Sequence, residues 1–188
     1  AKYYLLLESE DLLNSDVKLD ITYDLPKLVL GENTIADRQF DNTAYLLSLR
    51  SDARVSISAT DGIIITLFDD NWQPIEEQEG FYSLTEAQNY YALAKGAASA
   101  FTINIDVEHT DSLSGTMTDR DYRFIKFEPT KSGFYEVKGI LSYQWYDSLL
   151  RPYSGQLYDD SVYYLKIYGE INTDYNVSIV RECIGIVI

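Results

Sequence analysis

An all-β protein made of repeated antiparallel sandwiches is what this sequence predicts, on three observations. Its 188 residues include 17 tyrosines, which with many Val, Ile and Thr favour strands, because aromatic and β-branched side chains pack well on a pleated surface. Apolar and polar residues alternate over short runs, the period of a strand with one face on a core. The same series of elements also occurs twice along the chain. An apolar share of 46% is enough to build packed cores and argues against wholesale disorder.

The elements follow in order. "KYYLLLES" from Lys2 and "DVKLDITY" at Asp16–Tyr23 read as a paired-tyrosine strand and a final strand, the closing hairpin of a copy whose front part is missing. Residues 1–23 are expected to pair within the first sandwich or with the apolar C-terminal "CIGIVI", since open sheet edges would invite aggregation. "LVLGENT" (Leu28–Thr34) matches "DSLSGTM" (Asp111–Met117). "YLLSLRSDARVSI" (Tyr45–Ile57) matches "IKFEPTKSGFYEV" (Ile125–Val137), and alternation on both sides of a short polar turn predicts a hairpin in each. "GIIITLFDDNWQPI" (Gly62–Ile75) matches "GILSYQWYDSLLRPY" (Gly139–Tyr153), with Phe68-Asp69 over Tyr146-Asp147 and Pro74 over Pro152. Next come the paired-tyrosine strands "NYYALAKG" and "VYYLKIYG", each leading to a last alternating strand, "AFTINIDV" or "YNVSIV". The division expected is a partial repeat over 1–23, a first sandwich over 24–108 and a second over 109–188.

Period 2 assigns faces within these strands. Tyr163, Leu165 and Ile167 share one face and Tyr164, Lys166 and Tyr168 the other; one set is expected to enter a core and the other to make a partly wet face where phenol rings cover their neighbours. "SLTEAQNYYALAKG" carries helix formers behind a Ser83–Glu86 capping box. The repeat nevertheless assigns Tyr90-Tyr91 to a strand, which leaves one turn at most near Thr85–Gln88.

The run "GTMTDRDYRFIKFEPTKSGFYEVKG" (Gly115–Gly139) resembles the bacterial pre-peptidase C-terminal domain, whose pattern joins an Asp-x-Asp-Tyr opening, a Phe-bearing strand, a Ser-Gly turn and a Tyr-x-Val strand. A late Tyr-Tyr-x-x-x-x-Gly strand is matched at Tyr163–Gly169 and Tyr90–Gly96. The first copy lacks the second Asp and the Phe in "DNTAYLLSL". The resemblance implies tandem antiparallel sandwiches of jelly-roll type, carried as accessory modules on secreted or cell-surface bacterial proteins, some binding collagen or Ca²⁺.

A formal net charge of −15, from 30 acidic and 15 basic residues, would be repelled by nucleic acid or an anionic bilayer. No stretch approaches the roughly 20 apolar residues that span a bilayer. One cysteine, Cys183, excludes an intrachain disulfide and reads as a buried thiol. One histidine, His109, sits in the connector "VEHTD". No nucleophile motif, zinc-ligand spacing or phosphate loop accompanies them, so no catalytic residue is assigned and no enzyme is expected.

Two sets of candidates remain. Tyr143, Trp145, Tyr153 and Tyr158 crowd one part of the second copy and could stack on a sugar or grip a fibrous partner. Asp69, Asp70 and Asn71, with Asp119 and Asp121, gather the oxygens that Ca²⁺ takes, although such residues also make turns by bonding their own backbone. No cofactor is expected beyond that Ca²⁺. The function expected is a non-catalytic accessory module of a secreted or cell-surface bacterial protein, acting through protein or glycan contacts; the alternative is a calcium-stabilised adhesin of matrix or carbohydrate.

Overall fold

The structure is a computed structural model and describes residues 25–38, 42–140 and 142–182. Sixteen strands and no helix are present among them. The expected pairing of residues 1–23, and the buried Cys183 in "CIGIVI", lie outside the described residues.

The first half folds into two four-stranded sheets. One has the order β1 (Lys27–Leu28), β3 (Asn42–Ser48), β7 (Asn89–Lys95), β5 (Ile64–Phe68); the other runs β2 (Gly31–Ile35), β8 (Phe101–Val107), β4 (Ala53–Ala59), β6 (Tyr82–Leu84). All pairs are antiparallel except β1 with β3. Strand alternation aims one face of each sheet at the other. Tyr45, Leu47, Leu67, Ala92 and Ala94 from the first sheet thus meet Val55, Leu84, Ile103, Ile105 and Val107 from the second in one core.

The second half repeats the plan with more breaks. β10 (Tyr122–Phe127), β14 (Tyr163–Tyr168), β12 (Tyr143–Asp147) and β13 (Pro152–Tyr153) form its four-stranded sheet. The opposing layer consists of β9 (Ser114–Thr116) on β15 (Asp174–Asn176) and β11 (Tyr135–Lys138) on β16 (Ser178–Arg181). The gap between β15 and β16 has a steric counterpart in Gly139. Its φ is +85°, and a Cβ there would lie 2.1 Å from the Asn176 carbonyl oxygen, so only glycine lets the two backbones approach. Ile125, Trp145, Leu165 and Ile167 face Val137, Leu157, Tyr175 and Val177 across the second core.

Strand registers correspond between the two halves. Tyr45 pairs with Ala92 as Ile125 pairs with Leu165, and Val55 with Val107 as Tyr135 with Arg181. The first strands slip against the sequence match: Thr34 pairs with Thr102, whereas Ser114, not Met117, pairs with the corresponding Asn176.

The Asp turn is the same in both copies. Asp69 Oδ1 accepts from the Asn71 and Gln73 amides at 2.9 and 2.8 Å, and Asp147 Oδ1 from the Leu149 and Arg151 amides at 2.9 Å each. Trp72 and Leu150 take the left-handed position that follows, with φ of 58° and 54°. Phe68 then bridges Pro74 as Tyr146 pairs Pro152.

The hairpins are corrected. β3 and β4 lie in opposite sheets, as do β10 and β11, and the paired-tyrosine strands also part from the strands after them, β7 from β8 and β14 from β15 and β16. Alternation tells which residues face a core, but a chain that crosses from sheet to sheet alternates just as well as one that turns back on itself. The helix-prone stretch forms strand β7, with a turn at Glu86–Ala87 before it.

Candidate functional site

The paired tyrosines divide their work. Tyr90 and Tyr163 point into the cores, and each hydroxyl accepts the amide five residues upstream, Thr85 at 2.7 Å and Tyr158 at 3.1 Å. The first tyrosine of each pair thereby closes the loop that leads into its own strand. The second, Tyr91 or Tyr164, lies on the opposite face, and there the two halves differ.

In the second half that opposite face is partly wet at Tyr164 and Tyr168, which are half-buried, but not at Lys166, which is buried. Phe124, Tyr146 and Leu150 belong to the first half's core cluster, with Tyr122, Leu149 and Tyr164 packed against it. Lys166, 3% exposed, donates from Nζ to Ser51 Oγ at 3.0 Å and to the Asp52 carbonyl at 2.9 Å. Its ammonium stands 4.1 Å from the Tyr122 ring centroid and 5.3 Å from that of Phe124. Burial lowers the Lys166 pKa, and the carboxylates of Asp52, Glu86 and Asp121 oppose the shift. Burial also raises the pKa of Tyr122, Tyr164 and Tyr168, with Tyr146 adding to the effect at Tyr168. Lys166 escaped sequence reasoning because a cation in an alternating strand reads as solvent-facing.

A ring of charges runs beside this seam. Glu108, just past β8, accepts from Arg120 at 2.6 Å and pairs with Arg54 at 3.3 Å. Asp119 pairs with the same two arginines, from the opening of the second half. The buried Arg54 guanidinium also donates to the Gln78 carbonyl at 2.8 Å and lies over the Phe81 ring. The arginine ends are largely buried, whereas the Asp119 carboxylate is about half exposed, so its pairs are partly screened by solvent. The Arg120 hydrogen bond holds the Asp119 carboxyl below its ordinary value of 3.8.

The predicted binding aromatics do not form one surface. Trp145, 9% exposed, is a core residue 5.5 Å from the Phe127 ring and paired to Leu165. Tyr153 packs on Tyr163 and donates its hydroxyl to the Gln156 carbonyl. Tyr143 and Tyr158 are exposed, at 40% and 52%. The tryptophan that does reach solvent is Trp72, 51% exposed and stacked on Tyr91 at 4.7 Å with 8° between the rings. Its alignment with Leu150 in the Asp turn was the signal that could have found it.

The predicted Ca²⁺ residues serve other ends. Asp69 is the turn acceptor and Asp70 accepts from the Asn71 amide group at 2.8 Å. Asp119 is held by guanidinium groups that would repel a cation, which corrects its assignment as a ligand alongside Asp121, whose carbonyl accepts from Gly169. No group of three His, Cys, Asp or Glu is placed to hold a metal among the described residues. His109 is exposed in the connector as expected, Nδ1 2.7 Å from the Val107 carbonyl and its ring against Tyr164. Neither a scan against protein-family models nor a search of curated proteins finds a match to this chain.

Proposed function

We propose that the chain is a non-catalytic accessory β-sandwich module of a secreted or cell-surface bacterial protein, which spaces or targets its parent. The observation that carries this reading is the seam. The end of one sandwich is set onto the sheet face of the next by a buried lysine, a ring of four charges and the aliphatic plug Leu150. A short connector of Glu108–Thr110, with Thr110 bonded into the edge of β10 at Lys126, leaves little slack. A module that holds two ends at a fixed separation needs such a joint, because domains joined by small polar interfaces move relative to each other by default. The resemblance to pre-peptidase C-terminal domains supplies the setting: a bacterial surface or secreted parent whose other parts contribute the activity.

Limited proteolysis and glycan and collagen arrays test it. A spacer resists cleavage at 108–110 under conditions that leave the cores intact, and shows no saturable binding to the arrays. Rapid cleavage there would remove the stiff-spacer reading. Saturable binding lost on Tyr143→Ala or Tyr158→Ala would replace it with the adhesin.

A further inference from the structure

The same place in the repeat is covered in the second unit and bare in the first. In the second, Leu150 is 0% exposed and Tyr146, Phe124 and Lys166 are buried, because the end of the first unit sits on them. Shared turns and registers make their first-unit counterparts Trp72, Phe68, Ala44 and Leu93, with Tyr91 for Tyr164. That set is apolar and partly exposed, with Trp72 half in solvent on top of Tyr91. Where the second unit has the cation Lys166, the first has leucine, so its face needs no polar receptor in whatever covers it.

The chain itself indicates the occupant. The Thr110 carbonyl accepts from the Lys126 amide where the second unit begins, and the Pro26 carbonyl accepts from the Leu46 amide where the first begins. Pro26 therefore stands in the place of Thr110, and three residues before each lies the last apolar residue of an alternating run. Before Thr110 the run is Val107, Ile105, Ile103 and Phe101, all buried in a core strand. Before Pro26 it is Tyr23, Ile21, Leu19 and Val17, separated like the first by polar or acidic residues. Tyr3-Tyr4 lies upstream of it as Tyr90-Tyr91 lies upstream of Phe101. In the described seam, the exit of β8 meets the covered face, with the His109 ring against Tyr164. Lys126, which Thr110 bonds, pairs with Tyr164, and Leu46, which Pro26 bonds, pairs with Tyr91 in the same way.

We infer that the Trp72–Tyr91 face of the first unit is the seat for residues 1–23, the alternating apolar segment that leads into Pro26. This differs from pairing along a sheet edge, because the contact is side chain on face. It does not depend on the accessory role.

Hydrogen exchange read by mass spectrometry on the full chain tests it. Amides of residues 17–23 are expected to exchange at least about tenfold more slowly than free peptide. Trp72→Asp is expected to abolish that protection while the peptides of β10 and β14 keep theirs. Free-peptide exchange at 17–23 in the unaltered chain overturns the inference. So does protection that survives Trp72→Asp, or that vanishes on dilution and so belongs to a second copy. Should Trp72→Asp not fold, Trp145→Phe leaves Trp72 as the sole tryptophan, followed by exciting indole alone, since the chain has two tryptophans. Acrylamide quenching is then expected to be weak, and to strengthen on adding Leu19→Asp. Quenching as efficient as for a free indole before that change overturns the inference.

Discussion

The two sandwiches of this chain share a plan and differ in what their outer sheet faces carry. The first presents Leu93, Trp72 and Phe68 where the second presents Lys166, Leu150 and Tyr146. The cores tolerate exchange of one apolar residue for another, Tyr45 for Ile125 or Ala92 for Leu165, because an interior requires volume and period more than identity. The outer faces are where the copies have been given separate tasks. A conserved plan with a specialised exterior is how a repeat becomes an ordered array: neighbours are told apart by their contacts, while each fold stays the same.

The sharpest way to break the comparison lies in the glycines that head the aligned turns. Gly139→Ala forces a Cβ into the Asn176 carbonyl, whereas at Gly62 the same methyl meets nothing within 4 Å. Gly139→Ala is expected to destabilise by about 3 kcal/mol or more, and Gly62→Ala by about 1 kcal/mol for its left-handed backbone alone, measured by urea unfolding. Near-equal losses would mean that no close backbone approach sets Gly139 apart from Gly62.

Next in size is the seam. Lys166→Ala opens a cavity and strands the Ser51–Asp52 acceptors, so about 3 kcal/mol should be lost. Lys166→Leu installs the first unit's residue, and relief of ammonium desolvation offsets the lost hydrogen bonds to within about 1 kcal/mol. A severe loss with leucine would show that the lysine is required for more than filling the seam.

The hydroxyl caps should cost about 1 kcal/mol each, in Tyr90→Phe and Tyr163→Phe alike, since each leaves one loop amide without its acceptor. Similar shifts in thermal midpoint from the two variants are the expected result; a loss in one alone would limit the cap to that copy.

The smallest effect is acid-dependent and belongs to the joint. The folded Asp119 has its pKa below 3.8 because Arg120 bonds its carboxylate. The unfolded chain therefore takes up this proton first as pH falls. The contribution is present in full above the unfolded value and fades as pH drops through the folded one. Asp119→Asn should lower the thermal midpoint at pH 6, and the gap from the unaltered protein should narrow by pH 3.

Much of this architecture could be read in advance. Alternation located the strands, and Phe68-Asp69…Pro74 over Tyr146-Asp147…Pro152 located the repeat, since an Asp that folds back on its own backbone fixes turn length locally. Strand partners were not legible, because period 2 assigns a face and says nothing of the neighbour. That is why two sheet-crossing turns read as hairpins. The candidate site was hardest to read. Trp145 and Trp72 differ in exposure because of what packs on each, and a lysine becomes buried only when another unit arrives to bury it. Such facts belong to pairs of units and leave no mark in the alternation of one strand.

The way one sandwich sits on the next has a consequence for symmetry. The tip around Ser51 and the sheet around Lys166 are unlike surfaces, so the contact is heterologous and cannot close on itself as a twofold dimer does. Each junction leaves a fresh tip at one extreme and a fresh sheet at the other. A chain assembled this way has a head and a tail, and its length is set by the gene rather than by any self-limiting geometry.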